Sequence, residues 1–303
     1  MENQIPKEKG YLGNNLLKRI DQQHAWTSDQ LTEMTKCMMD PIYFGEKYIK
    51  IVHVDRGLIP LHMYDYQKDI ITKISNNRRV IVLSARQAGK TTVAAAAILH
   101  YIIFNEFKNV AILSNKGASS KTVLERIKLA YENLPKWMQH GIVEWNKNSI
   151  ELENGCKVFA GTTTSSSIRG ETIAFLYVDE AAFIEGYEDF FTSVYPTISS
   201  GEETKLLMTS TPNGLNHFFK LYEGAKQGVN GYIPVTVTWS MVPGRGDEWK
   251  KETLAALNFD MDKFNQEYEC VHGSTTISLY DTITKETISL PIEDAYNLIE
   301  NSL

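Results

Sequence analysis

Two short stretches of this sequence contain side chains that could hold phosphate groups and the cation that accompanies them. The first is SARQAGKTT, and the second is the acidic pair Asp179 and Glu180 in FLYVDEAAF. A phosphate-binding loop needs a strand, a tight loop and a helix start, so that backbone N–H groups and the helix dipole face the phosphates. Lys90 would reach the β- and γ-phosphates, and the Thr91 hydroxyl would bind magnesium. The predicted nucleotide contacts in the loop are Ser84, Ala85, Arg86, Gln87, Ala88, Gly89, Lys90, Thr91 and Thr92.

The loop departs from the usual pattern G-x-x-x-x-G-K-[ST], because Ser84 stands at the first glycine position. A bare G-K-T also occurs by chance at the start of an ordinary helix. The flanking residues favour the loop. Residues 80–83 form a short apolar, β-branched run that predicts a buried strand, and residues 91–104 predict a buried helix.

The acidic pair follows an apolar run at residues 175–178, which predicts a strand. Two carboxylates at the end of a buried strand are costly unless they hold a cation or face a cleft. Asp179 would therefore bind the magnesium through water, and Glu180 would orient and deprotonate an attacking water. The alternative is an ordinary acidic pair exposed in a loop.

A third apolar run, residues 206–208, ends in the hydroxyl residues Thr209, Ser210 and Thr211. These hydroxyls could sense the γ-phosphate or water and pass its loss to neighbouring segments. The alternative is turn chemistry before the Pro-Asn-Gly sequence that follows.

The remaining elements predict how these residues are brought together. NVAIL and YIPVTVTW predict two further strands, and SSKTVLERIKLAYENL predicts a helix. Strands that alternate with helices predict an α/β fold with a parallel sheet and ligands at its carboxyl edge. SIELENGCKVFAG, with Asn154-Gly155 between two alternating runs, predicts a hairpin that decorates this core.

The bulk composition is that of a globular protein. The chain has 303 residues, enough for one large or two ordinary domains, and is 43% hydrophobic and 22% charged. We find no signal-peptide pattern and no membrane-spanning run. The spacing of the cysteines predicts neither a zinc site nor disulfides and favours a reducing compartment. The net charge of −6 does not indicate nucleic acid; residues 270–303 contribute −4 of it.

These segments, in this order, resemble the ATPase half of the large terminase subunit, the DNA-packaging motor of tailed bacteriophages, especially the T-even-like group. The resemblance runs from about residue 40 to residue 269 and also includes DPIYFGEKYIKIVHVDRGLIPLHMYDYQKDI, GIVEWNKNSIELENG and TSTPNGLNHFF. It implies a P-loop NTPase of the RecA/ASCE-like type, in which helices flank a mostly parallel sheet. ATP and Mg²⁺ would be its cofactors. We expect an N-terminal helical segment at residues 1–60 and the ATPase domain at residues 61–269.

The resemblance also implies roles for single residues. Gln67 matches a position that contacts adenine, although a solvated glutamine on an amphipathic helix is the alternative. Arg86 matches an arginine that senses the γ-phosphate. Arg169 in SIRG matches a candidate arginine finger, which would neutralise charge in the transition state; the alternative is a surface loop residue. The run from Thr209 to Thr211 matches the motif that couples hydrolysis to movement. The family often lacks the first glycine, so the Ser84 departure is mild.

The implied partners are double-stranded DNA, the phage portal and the small terminase subunit, with the chain forming a homo-oligomeric ring on the portal. The protein would act in the cytoplasm of the infected bacterial host and transiently on the procapsid, and it would not be part of the mature virion. Candidates for DNA contact by charge alone are Arg78, Arg79, Lys121, Arg126 and Lys128, for which a solvated surface is the commoner role. A stand-alone helicase-like or regulatory ATPase and an inactive fragment are the competing hypotheses.

The family's second domain is a nuclease, and we expect it to lie outside this chain, because the 34 residues after Glu269 are too few to form it. CVHGSTTISLYDTITKETISLPIEDAYNLI resembles the first block of an intein, with Cys270, Thr275 and Ile277 at matching positions. Residues 270–303 would be the short, β-rich N-terminal fragment of an atypical split intein. The Cys270 thiol would attack the carbonyl of Glu269 and form a thioester.

A second polypeptide would carry the missing intein blocks and the nuclease half, and trans-splicing at Glu269–Cys270 would join the two. The acidic tail could steer a basic partner fragment. Two alternatives stay open. Cys270 is a structural cysteine in a reading frame truncated by a frameshift, or the tail is a contiguous intein cut off by the end of the sequence.

Overall fold

The computed structural model describes residues 10–164, 168, 170–199, 201–269, 276–280, 287–291 and 294–295. The chain groups into two compact units. The first comprises Met1–Val80 and Gly89–Thr209, and the second comprises Ile81–Ala88 and Ser210–Leu303. In the part of the chain that is described, no helix is both long and apolar enough to cross a membrane.

The helices of the described residues are α1 Ser28–Met39, α2 Pro41–Tyr48, α3 Asp65–Asn76, α4 Lys90–Phe104, α5 Gly117–Glu132, α6 Tyr187–Ser199, α7 His217–Lys226, α8 Asp247–Ala256 and α9 Met261–Phe264, which continues as a π-helix over Asn265–Glu269. The strands are β1 Lys50–His53, β2 Gly57–Pro60, β3 Arg79–Ser84, β4 Asn109–Ser114, β5 Ile142–Trp145, β6 Ser149–Leu152, β7 Lys157–Thr162, β8 Phe175–Asp179, β9 Lys205–Ser210, β10 Ile233–Val237, β11 Thr276–Tyr280 and β12 Thr287–Pro291.

Eight of these strands form one sheet in the order β10-β3-β9-β8-β4-β7-β6-β5. Strand β4 pairs in parallel with β7 and β8, and β8 pairs in parallel with β9. The carboxyl ends of these strands therefore meet at one edge, where ligands bind in open α/β sheets. The predicted strands and the mostly parallel sheet flanked by helices are confirmed.

The hairpin predicted around Asn154-Gly155 is confirmed, but the prediction that it decorates the core is wrong. Strands β6 and β7 are antiparallel, and Gly155 supplies the left-handed turn with φ +76°. Strand β7 also pairs in parallel along the whole length of β4. The hairpin is thus part of the main sheet, because both edges of β7 are used for hydrogen bonding.

The first unit is built around helix α4, whose apolar residues are buried from Val93 to Leu99 and again at Ile102 and Ile103. Alanines in this run let α3 and α5 pack closely on the helix. Near the N-terminus, Thr27 and Gln30 form a capping box that starts α1, and the Asp40 carboxylate caps α2. Residues 50–60 form the antiparallel β1–β2 hairpin, which the sequence did not indicate.

The second unit contains an aromatic cluster that consists of Trp239, Trp249, Phe264 and Tyr268. The rings of Trp239 and Trp249 are stacked with centroids 5.7 Å apart, and Phe264 is fully buried. Tyr268 packs on Trp249 at 5.3 Å. Such ring pairs stabilise a fold by more than the burial of their apolar area alone. The cluster therefore holds α8, α9 and the π-helix together.

Candidate nucleotide-binding site

The predicted phosphate loop has the backbone that such a loop requires. Strand β3 ends at Ser84, and α4 begins at Lys90. Gln87 and Gly89 have left-handed backbones with φ of 56° and 78°. Gly89 is the N-cap of α4, and no side chain in the described part of the chain caps it. The helix start therefore presents backbone N–H groups of the kind that bind anions.

Gln67 lies directly against the glycine of this loop. A Cβ atom added to Gly89 would come within 2.5 Å of Gln67 Nε2. The Gln67 side chain is buried, and its Oε1 accepts a hydrogen bond from the Tyr64 backbone N–H at 3.0 Å. The alternative of a solvated glutamine is thus wrong, and the adenine contact stays a prediction.

Lys90 and Glu180 form an ion pair. Lys90 Nζ lies 2.8 Å from Glu180 Oε1, and their side chains are 11% and 33% exposed. Glu180 has a left-handed backbone with φ 53° and ψ 46°. A non-glycine residue in this region is uncommon and is often found at functional sites. The pair brings together one residue from each of the two predicted motifs.

Asp179 is the centre of a buried hydrogen-bond network. Tyr177 Oη and Thr209 Oγ1 both donate to Asp179 Oδ1 at 2.9 Å, and the two hydroxyls lie 3.0 Å apart. Burial raises the pKa of Asp179, as does the neighbouring Glu180 charge, while Lys90 and the two hydroxyl donors act in the opposite direction. The network fixes the orientation of this carboxylate.

The predicted coupling residues begin inside the sheet. Thr209 and Ser210 end strand β9, and both are buried, as is Thr211. The alternative that they serve only the following turn does not fit Thr209, whose hydroxyl bonds the Asp179 carboxylate. Thr92 is also engaged, because its Oγ1 accepts a hydrogen bond from Arg126 Nη1 at 2.8 Å.

A row of polar residues follows the carboxyl edge of the sheet. Ser114 is paired with Asp179 in register, and Asp179 is paired with Thr209. Paired residues of neighbouring strands lie on one face of a sheet. These three side chains therefore share a face at the edge where the loop lysine and Glu180 meet.

Two buried oxygens at this edge of the sheet, Glu180 Oε2 and Ser114 Oγ, have no hydrogen-bond partner within the described part of the chain. Buried polar atoms normally have a partner, which favours a further polar group here. The Asp179 carboxylate and the Thr91 hydroxyl are ligands of the type that Mg²⁺ prefers, with phosphates and water in its other positions. The residues present therefore fit magnesium and a phosphate group.

Arg86 belongs to the second unit with the first half of the loop. Its Nη1 lies 2.9 Å from Glu267 Oε2, and its backbone N–H donates to the Glu267 carbonyl at 2.8 Å. Arg245 Nη1 donates to the Arg86 carbonyl at 2.9 Å, and its Nη2 donates to the Gln87 carbonyl at 3.3 Å. The Ala85 N–H donates to the Val237 carbonyl at 2.7 Å. The loop is thus fixed by residues far along the chain.

Sequence reasoning missed Tyr177, Ser114, Arg245 and Glu267. Tyr177 could have been found from the sequence, because it precedes Asp179 by two residues on a predicted strand and so lies on the same face of the sheet. The other three depend on contacts between distant segments. Arg169, the predicted finger, and Cys270, the predicted splicing nucleophile, lie outside the described residues.

A mostly parallel sheet with a lysine-bearing loop before α4 and an acidic pair at the end of β8 defines a P-loop NTPase fold. Residues 81–285 match the family described as terminase large subunit, T4likevirus-type, N-terminal. The chain therefore belongs to this family of T4-like large terminase subunits. The match continues past Glu269 and does not itself mark a junction there.

Solved structures of large terminases share this fold. The HK97 bacteriophage large terminase matches with a TM-score of 0.64 and 18% identity, covering 79% of this chain and 56% of that chain. The large terminase ATPase domain of Thermus phage P74-26 matches with a TM-score of 0.56 and 21% identity, and the match covers 70% of this chain and 94% of that chain. The large terminase of a thermophilic bacteriophage, solved in complex with ADP, matches with a TM-score of 0.50 and 16% identity. This match covers 64% of this chain and 50% of that chain. The chain thus spans about half of the longer terminases.

Proposed function

We propose that this chain binds ATP and Mg²⁺, hydrolyses ATP and serves as the motor half of a terminase that drives DNA into the phage capsid. The observation that carries the proposal is the junction of Lys90, Glu180 and Asp179 at the carboxyl edge of the sheet. One cation and two carboxylates converge there, and Glu180 Oε2 is left for a further polar group. The terminase from the thermophilic bacteriophage was solved with ADP, which supports a nucleotide as the ligand.

Each residue has a chemical role in this proposal. The loop N–H groups and Lys90 hold the phosphates, and Thr91 and Asp179 hold the magnesium, which when bound neutralises phosphate charge. Tyr177 and Thr209 keep the Asp179 carboxylate oriented. Glu180 accepts the proton of the attacking water.

Four further roles complete the proposal. Gln67 contacts the adenine, and Arg86 contacts the γ-phosphate. Arg169 is the arginine finger. The run from Thr209 to Thr211 couples hydrolysis to movement, and the hydrogen bond from Thr209 to the Asp179 carboxylate supports this role.

The test is ATP hydrolysis by the purified chain with Mg²⁺. We expect Lys90→Ala to lose both nucleotide binding and hydrolysis. Glu180→Gln should still bind the slowly hydrolysed analogue ATPγS but lose hydrolysis, because the base is gone while the phosphate contacts remain. Hydrolysis at the wild-type rate in both variants would contradict the assignment.

The motor role adds partners, namely double-stranded DNA, the portal, the small terminase subunit and further copies of the chain in a ring. They act in the cytoplasm of the infected host, with transient attachment to the procapsid. We expect double-stranded DNA to accelerate ATP hydrolysis when procapsids are present. Rates that never respond to DNA or procapsids would favour a stand-alone ATPase.

We also propose that the tail is a split-intein fragment. Strands β11 and β12 form an antiparallel ladder with Thr276 opposite Pro291, in keeping with the expected β-rich segment. Attack by the Cys270 thiol on the Glu269 carbonyl would break the peptide C–N bond, form a C–S thioester and leave the Cys270 amino group with the proton. Splicing would then join residues 1–269 to a nuclease half.

This second proposal has its own experiment. The chain is mixed with a candidate partner polypeptide that carries the remaining intein blocks and an acidic nuclease. We expect a ligated product with the summed mass of the two flanking parts, lost in Cys270→Ala. Normal splicing by Cys270→Ala would rule out Cys270 as the nucleophile.

A further inference from the structure

Within the second unit, the first half of the phosphate loop contacts the segment that ends at Glu269. Arg86 contacts Glu267 twice, through the backbone hydrogen bond at 2.8 Å and the side-chain ion pair at 2.9 Å. The two side chains are 61% and 31% exposed. An exposed ion pair alone contributes little to stability. The backbone hydrogen bond gives this pair a defined geometry.

The π-helix Asn265–Glu269 holds Glu267 in place from both sides. On one side, Phe264 is fully buried among the aromatic cluster. On the other, Trp239 Nε1 donates to Glu269 Oε2 at 2.5 Å. A π-helix is rare and occurs frequently at functional sites. These contacts anchor the π-helix on either side of Glu267, and its carboxylate lies within reach of the Arg86 guanidinium.

Arg245 holds the loop backbone in the same place. Its guanidinium binds the carbonyls of Arg86 and Gln87 and lies 4.7 Å from the centroid of the Trp249 ring. A loop that binds phosphate needs its N–H groups directed toward the anion. Arg245 engages the carbonyls and so fixes this part of the loop through contacts that do not involve the Arg86 side chain.

We propose that Glu267 is a positioning residue that competes with the nucleotide's terminal phosphate for the Arg86 guanidinium. This inference rests on the proposed nucleotide site. A phosphate carries more charge than a carboxylate and accepts bidentate, charge-assisted hydrogen bonds from arginine. When Arg86 turns to the phosphate, Glu267 loses its cation. Binding of the nucleotide is thereby transmitted to the π-helix at residues 265–269.

The competition predicts a change in nucleotide discrimination. Glu267→Gln should raise affinity for ATPγS about fivefold, the equivalent of about 1 kcal/mol, and leave affinity for ADP unchanged. ADP lacks the phosphate for which Glu267 competes. In an Arg86→Ala background, Glu267→Gln should have no effect on either affinity. The matched control is Glu223→Gln, which breaks a similar pair with Lys226 in the same unit.

Binding is measured by titration calorimetry with ATPγS and with ADP. As a second readout that needs no substitution at Glu267, hydrogen exchange is followed in peptides covering residues 265–269. Exchange there should be faster with ATPγS than with ADP in the wild type, and equal in Arg86→Ala, because loss of the contact allows local opening.

Two results would overturn the inference. In the first, the wild type hydrolyses ATP, but Glu267→Gln leaves the ratio of ATPγS to ADP affinity unchanged. Hydrogen exchange at residues 265–269 also does not respond to ATPγS. In that case the proposed ATPase function stands and only the role of Glu267 is lost. The other is a wild type that binds neither nucleotide, which would reject the ATPase function and this inference together.

Discussion

Lys90 Nζ lies 2.8 Å from Glu180 Oε1, so the loop lysine and the proposed general base neutralise each other. The same lysine is assigned to the nucleotide phosphates, and the same carboxylate is assigned to the attacking water. Binding of a phosphate must therefore compete with Glu180 for Lys90. The arrangement keeps the base paired until a phosphate draws the lysine away.

This competition predicts that removing the Glu180 charge has opposite effects on binding and catalysis. Glu180→Gln should bind ATPγS about fivefold more tightly, the equivalent of about 1 kcal/mol for a partly exposed pair. Hydrolysis should fall about 10²–10⁴-fold with the general base removed. Calorimetry and a phosphate-release assay measure both effects, with the exposed Glu185→Gln as control. Weaker binding by Glu180→Gln than by wild type would refute the competition.

The Tyr177 hydroxyl should act on magnesium through Asp179. Tyr177→Phe removes one donor to the carboxylate, and we expect the Mg²⁺ concentration for half-maximal hydrolysis to rise about tenfold, as for other residues that orient metal ligands. Unfolding in urea should show a loss of about 1 kcal/mol.

Tyr131→Phe is the matched control, because Tyr131 is also fully buried and donates to the His140 carbonyl at 2.6 Å. It should lose similar stability without changing the Mg²⁺ dependence. If both variants shift the Mg²⁺ dependence equally, the Tyr177 hydroxyl has no specific role.

Gly89 should not tolerate a side chain, for two separable reasons. Its left-handed backbone makes Gly89→Ala cost about 1–2 kcal/mol, and the new methyl group would displace the Gln67 amide. Gly186→Ala is the control, because Gly186 has φ 60° and open space around its Cβ position. Both variants should lose stability in thermal unfolding, but only Gly89→Ala should lose nucleotide binding. Equal binding in the two would exclude a role for the Gly89–Gln67 contact.

Glu33 should make the first unit sensitive to acid. Hydrogen bonds from Lys47 and from the hydroxyls of Tyr48 and Tyr43 lower the pKa of Glu33 from 4.5 to about 2. An acid with a lowered pKa stabilises the fold above its unfolded pKa, and this contribution is lost as the pH falls from 4.5 to about 2. Glu33→Gln should therefore have a lower urea midpoint than wild type at about pH 7. The midpoints should approach each other as the pH falls toward 2, where the carboxyl becomes half protonated, and a constant difference would contradict the assignment.

The parts of the site that depend only on neighbouring residues in the chain were predictable from the sequence. The apolar runs before the loop, before Asp179 and before Thr209 each became a buried strand, since such runs are fully enclosed in a parallel sheet. The register that pairs Asp179 with Thr209 could not be predicted, because it depends on which strands become neighbours. Nor could the contact of Arg245 with the Arg86 carbonyl, which joins residues 159 apart in the chain.

The left-handed backbone of Glu180 has a consequence for natural variation at this position. Glycine would adopt φ 53° without steric cost, so Glu180→Gly relieves the backbone. The same change deletes the carboxylate that pairs with Lys90. Backbone conformation alone therefore favours glycine at this position, whereas the ion pair with Lys90 requires the carboxylate. A homologue that does not hydrolyse ATP would be free to accept glycine here.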